Sequence, residues 1–309
     1  MISTKKIKDL KSYSIKVHKK AEPRCKNEAL PSFFHNALFI GITGSGKSYS
    51  MIKLLKMYEK EGIIDDENEL CDIRYILISP TSKSSANSVF QLLKIEDDDL
   101  IDDFSFEALE DKVNELIEEN KMISEWNIYV KAYHKLNKTQ EIDSLTDEEL
   151  EMLDKYGMDS DDIPRRKKTK IYFLIVDDMI STPLFSRSGK NKFNNLIILC
   201  RHYGINIYMT SQHLKSVPPL VRSNCKIYAI FKANNFKKVL EGVYEEVSGL
   251  LELDDFINMY QTATNDLHSH LTIINDKKMK DAYKYRMNWN DYFVISKNKN
   301  TDEKIKIIN

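Results

Sequence analysis

Residues 36–48 read NALFIGITGSGKS. A short apolar run, Ala37 to Ile40, breaks into a turn holding three of the nine glycines of the chain. Gly41, Gly46, Lys47 and Ser48 satisfy G-x-x-x-x-G-K-[ST] without deviation. The glycines let backbone amides close around anionic oxygens, where a Cβ would obstruct the approach. The amides then point into a helix N-terminus, which favours negative charge. Such a loop binds the phosphates of a nucleoside triphosphate, here ATP, through Gly41, Thr43, Gly44, Ser45, Gly46, Lys47, Ser48 and Tyr49. Lys47 reaches the β- and γ-phosphates, and the Ser48 hydroxyl ligates Mg²⁺. Downstream, Met51, Leu54, Leu55 and Tyr58 recur with helical period, and Gly62 stands at a C-cap position.

A triphosphate site needs a carboxylate on a neighbouring strand. YFLIVDD provides it: five apolar residues, Tyr172 to Val176, lead directly into Asp177 and Asp178. Asp177 is the Mg²⁺-side carboxylate in this reading, and Asp178 polarises the attacking water. In isolation two acids after a strand are ordinary loop residues; beside this loop they are not. GINIYMTSQ, residues 204–212, is a further apolar strand ending on Gln212.

The 309 residues suffice for one large α/β domain, and 42% are hydrophobic, so a sizeable core is available. Forty-six basic residues against 47 acidic ones leave a net charge of −1, so total charge makes no case for nucleic acid. Cys25, Cys71, Cys200 and Cys225 lack CxxC spacing, which argues against zinc and for reduced thiols inside a cell. Neither a signal-peptide pattern nor a membrane-length apolar run is visible.

Strands alternate with helices, which predicts a mainly parallel sheet covered by helices on both faces. Residues 1–30 read as a basic arm, and 31–276 as the phosphate-binding domain. Residues 96–170 read as an acidic helical insertion solvated at the surface, with a capping box at Thr146 and Glu149. SSANSVFQLLK, residues 84–94, reads as a helix. Residues 277–309 read as a basic tail. KKMKDAYKYRMNW, residues 277–289, and RRKK, residues 165–168, are the local candidates for contact with DNA.

The order of parts resembles the additional-strand, RecA-like P-loop ATPases. Within them it resembles the FtsK–HerA superfamily and its poxvirus-type genome-packaging ATPases of large nucleocytoplasmic DNA viruses. The matching segments are GITGSGKS, FLIVDDM, CRHYGINIYMTSQHLKSVPPLVRSN and VYEEVSGLLELDDFINMYQTAT. The resemblance implies that the Gln212 strand lies between the phosphate-loop strand and the acidic strand. Gln212 then senses the γ-phosphate. It also implies a homo-oligomeric ring in which Arg201, with Arg222 as second candidate, completes a neighbour's site. The implied activity is ATP-driven movement of double-stranded DNA into a capsid, at a viral assembly site in host cytoplasm or in the virion, with capsid or other virion proteins as further partners. A DNA translocase or helicase without a packaging role, and a slow nucleotide-dependent switch, are the alternatives.

Overall fold

The computed structural model describes residues 22–79, 89–102, 105–157, 163–178, 191–233, 236–247, 251–294 and 306–308. The strands are β1 (Arg24–Cys25), β2 (Asn36–Ile40), β3 (Ile63–Ile64), β4 (Asp72–Ile78), β5 (Leu100–Ile101), β6 (Lys170–Val176), β7 (Ile205–Ser211), β8 (Cys225–Phe231), β9 (His270–Ile274), β10 (Tyr285–Met287), β11 (Asp291–Val294) and β12 (Lys306–Ile308). The helices are α1 (Lys47–Glu61), α2 (Phe106–Thr139), α3 (Asp147–Tyr156), α4 (Lys192–Tyr203), α5 (Pro219–Ser223), α6 (Phe236–Val247) and α7 (Leu253–Ala263).

One sheet runs β12-β11-β10-β9-β8-β2-β7-β6-β4-β5. From β8 to β5 every pairing is parallel; from β8 outward to β12 every pairing is antiparallel. The fold is therefore α/β with a mainly parallel central sheet, as its alternating elements predict. β7 lies between β2 and β6, so the phosphate-loop strand and the acidic strand do not touch. The central strands alternate their side chains between two apolar layers. Leu38, Ile40, Leu174, Val176, Ile207 and Met209 face one layer, under α2, α4, α6 and α7. Ala37, Phe39, Phe173, Ile175 and Tyr208 face the other, under α1.

The α1 stripe behaves as its period requires: Met51, Leu54, Leu55 and Tyr58 are fully buried. Gly62 terminates the helix at φ +80° and donates its N–H to the Tyr58 carbonyl at 3.0 Å. The capping box of α3 is formed through both of its hydrogen bonds.

Three segments differ from expectation. The acidic stretch 96–170 is not simply a surface appendage. Its first part supplies the edge strand β5, and Leu109, Val113 and Leu116 of α2 enter the main core. Asp99, Glu115 and Glu119 surround Arg74 at 2.7–2.8 Å, which ties α2 to β4. Only the distal part, with α3, forms a separate cluster around Trp126, Tyr129 and Tyr156. In 84–94, residues 84–88 lie outside the described residues, and Val89–Leu92 forms a 3₁₀ turn, not an α-helix.

The segment from Lys277 is not a free tail, because its backbone completes the antiparallel side of the sheet. Trp289 is buried and donates to the Ser50 carbonyl at 3.0 Å. Arg286 is buried and donates to the carbonyls of Ala29, Tyr283 and Trp289; burial pulls its guanidinium down to about 10. Lys278 pairs with Glu22, and Lys280 with Glu28 at 2.9 Å. RRKK is engaged in the same way: Arg166 pairs with Asp65 at 2.7 Å, Lys168 pairs with Asp72 at 3.1 Å, and Lys167 lies over the Trp126 ring. Both basic runs are thus structural to a large extent. Of the N-terminal arm, residues 1–21 lie outside the described residues, while Leu30 is core.

Candidate nucleotide site

The phosphate loop leaves the tip of β2 and enters α1. Gly44 and Gly46 adopt φ +77° and +94°, in the left-handed region where glycine is favoured. Gly41 is dictated by space: a Cβ there would stand 2.6 Å from both Phe231 Cβ and Ser45 Oγ. Its N–H donates to the Ser211 carbonyl at 3.1 Å, fastening the loop to the tip of β7. Lys47 Nζ donates to the Gly41 and Ile42 carbonyls at 2.8 and 3.1 Å. Burial pulls its ammonium below the ordinary lysine value, and Asp178 and Asp177 oppose that shift.

The two acids stand where β6 ends. Asp177 accepts from the Ser48 hydroxyl at 3.1 Å and from the Thr210 hydroxyl at 2.7 Å. Burial, with Asp178 adjoining, pushes its carboxyl above the ordinary range; Thr210, Ser48 and Lys47 act in the opposite direction. Asp178 takes φ +50°, an uncommon conformation for a residue with a side chain. Two contacts hold it. Its N–H donates to Thr210 Oγ1 at 2.8 Å, and Gln212 Nε2 donates to both of its carboxylate oxygens at 3.1–3.2 Å.

Lys47, Ser48, Asp177, Asp178 and Gln212 therefore converge on one rim of the sheet. Thr43 and Tyr49 are exposed beside them. Thr210 is the member that sequence reading missed. It is fully buried and uses its hydroxyl twice, donating to one acid and accepting from the backbone of the next. Its alternation along β7 was readable, but its value depends on β7 lying beside β6, with Val176 opposite Met209.

A triphosphate with a divalent cation suits these residues. Ser45 Oγ is buried with no hydrogen-bond partner among the described residues, and a Cβ at Gly41 would press directly on it. Ser48 and Asp177 present a hydroxyl and a carboxylate to the same point, a donor set of hard oxygens that fits Mg²⁺.

The arginines are elsewhere. Arg201 lies in the last turn of α4 and Arg222 in α5, just before β7 and β8 begin. They stand at the foot of the sheet, and the seven residues of β7 span about 20 Å from foot to tip. Arg201 is 63% exposed and pairs with Glu22 at 2.5 Å. Arg222 is 18% exposed, lies 3.8 Å from Glu246, and buries an Nε that has no partner among the described residues.

No family model matches the sequence, and no curated protein shows significant similarity to it. Among solved structures, the chain is similar to the genome packaging NTPase B204 of Sulfolobus turreted icosahedral virus 2, bound to AMPPCP, at 13% identity. That match covers 79% of this chain and 94% of the other, with a TM-score of 0.42. The DNA-packaging ATPase B204 of Sulfolobus turreted icosahedral virus matches at 15% identity over 80% and 95% of the two chains, TM-score 0.43. The pCW3 conjugation coupling protein TcpA, with ATPγS, matches at 14% identity over 80% and 58%, TM-score 0.40. At such identities the functional reading comes from the site itself.

Proposed function

We propose that the chain is a P-loop ATPase that drives double-stranded viral DNA into a capsid, working as a homo-oligomeric ring. The observation that carries the ATPase reading is the convergence of Ser48, Asp177, Asp178 and Gln212 around Thr210 at the tip of β7. In this reading residues 31–276 form the ATPase unit, and the strands beyond it complete the sheet.

Lys47 exchanges its loop carbonyls for β- and γ-phosphate oxygens. Ser48 and Asp177 would hold Mg²⁺, which neutralises charge on those phosphates. Asp178 accepts the proton of the attacking water once Gln212 releases its carboxylate. Gln212, freed, donates to the γ-phosphate or the water, so that its amide reports the state of the nucleotide to β7. Thr210 keeps both acids in place throughout. The foot-to-tip separation favours Arg201 acting on a neighbouring copy, where it stabilises charge on the transferred phosphoryl group. Its exposure suits that role, whereas Arg222 is held against α6. The resemblance of the sequence supports the packaging role.

Duplex DNA tests this proposal. Steady-state ATP hydrolysis is expected to rise several-fold when duplex DNA is added, and to fall again as salt weakens phosphate contacts. Hydrolysis indifferent to DNA would favour a nucleotide-dependent switch. Strand separation on a forked duplex would favour a helicase.

A further inference from the structure

A nucleotide on the phosphate loop has two ends, and the site described above accounts for one. Asp177, Asp178, Gln212 and Thr210 approach the loop from the β6 and β7 side. In the proposed reading the γ-phosphate lies on that side, and the nucleoside then leaves in the other direction, toward β8 and β9.

The loop entering β9 meets it there. His268 lies against Gly46: a Cβ built on that glycine would stand 3.2 Å from His268 Cβ and 3.4 Å from its Nδ1. The residue takes φ +66°, yet its surroundings are firmly anchored. Two positions on, His270 is buried, stacks on Phe231 at 4.6 Å between ring centroids, and hydrogen-bonds Ser50 Oγ at 3.2 Å. Its backbone is tied to Asn288 in both directions. The loop is thus pinned to α1 and β8 while its outer side chains stay free of the core. His268 is exposed, and Leu267 is 86% exposed, a large apolar side chain left in water beside the loop. Tyr49, one turn after Gly46 and so on the same side of α1, is 63% exposed. A planar ring thus stands against Gly46, with an exposed alkyl group next to it in sequence and an exposed phenol one turn along α1.

We infer that His268, with Leu267 and Tyr49, forms the nucleobase subsite, the base stacking on the His268 imidazole. This rests on the reading of the loop as a triphosphate site. Aromatic stacking on a base contributes by its π-face and is tolerant of base identity. The subsite therefore contributes to affinity for nucleosides over bare polyphosphate and discriminates weakly between adenine and guanine.

The test compares a non-hydrolysable ATP analogue with inorganic tripolyphosphate by calorimetry. His268→Asn removes the ring and tolerates the left-handed backbone; His268→Phe keeps a ring. The Asn variant is expected to bind the analogue about tenfold more weakly, and the Phe variant within about threefold of wild type. Tripolyphosphate binding stays unchanged in both. Equal loss of both ligands in the Asn variant would mean that His268 only supports the loop, and no loss of either would mean that the base lies elsewhere; each overturns the inference. Lys47→Ala separates the underlying reading: it should remove tripolyphosphate and analogue alike, and retention of both would overturn the triphosphate site itself.

Discussion

The tip and the foot of β7 differ in almost every respect. At the tip, polar groups turn inward and toward one another: Thr210 is buried, Gln212 holds Asp178, and Asp178 occupies an uncommon backbone conformation. At the foot, Arg201 turns outward and pairs with Glu22. β7 thus runs from a helix that ends on an exposed cation to a polar cluster assembled within one chain. In the proposed ring, the foot of one copy completes the tip of its neighbour.

The largest effect should come from breaking that division. Arg201→Ala is expected to lower ATP hydrolysis about a thousandfold while leaving nucleotide binding intact. Mixing it with Lys47→Ala subunits should restore part of the activity, since the intact loop of one variant meets the intact arginine of the other. A mixture no more active than its components would remove Arg201 from the trans role. Arg222→Ala sharpens the contrast. With its partial burial against Glu246, it should lower the melting temperature more than it lowers hydrolysis per folded molecule.

Thr210→Val should come next. The change keeps the β-branched shape but leaves the Asp178 N–H without its acceptor and deprives Asp177 of the Thr210 hydroxyl, leaving it that of Ser48. About tenfold lower hydrolysis is expected, with a raised Mg²⁺ requirement and about 1–3 kcal/mol less stability in urea unfolding. Wild-type behaviour in both assays would show that Thr210 is only a strand residue.

The smallest effect concerns acid, and it spans both ends. His35, just before the foot of β2, and His270, at the tip of β9, are buried; burial lowers them to about 4 and about 3. Above about pH 6.5 both are neutral whether the chain is folded or not. Below it the unfolded chain takes up protons that the folded chain refuses, so stability falls. The His35 contribution levels off below about pH 4, after a loss of roughly 3 kcal/mol. Melting temperatures measured from pH 7 to 4.5 should decline, and His270→Phe should flatten the decline. A flat wild-type profile would contradict the burial of both rings.

Much of the tip was legible because its chemistry is written in short spacings. The loop, the acid pair and Gln212 each follow an apolar run, and the likeness to additional-strand ATPases anticipated β7 between β2 and β6. Thr210 was not legible, because its partners belong to the neighbouring strand and appear only through register. Two of the segments misread were charged ones. Lys-rich sequence after Lys277 concealed Trp289 and Arg286, whose burial depends on carbonyls contributed from Ala29, Tyr283 and Ser50. In α2, the recurrence of Leu109, Val113 and Leu116 marked a core face that the acidic residues around it obscured.

Catalysis is assigned to the tip of β7. Single-turnover hydrolysis of ATP by wild type and by Asp178→Asn, with binding of a non-hydrolysable analogue measured in parallel, tests it most directly. Asparagine tolerates the φ +50° backbone and keeps the size of the side chain, but it cannot accept the proton of the attacking water. The expected result is binding within about twofold of wild type and hydrolysis slower by about 10²–10⁴. Hydrolysis at the wild-type rate in the Asp178→Asn protein would contradict the assignment of this rim as the catalytic site.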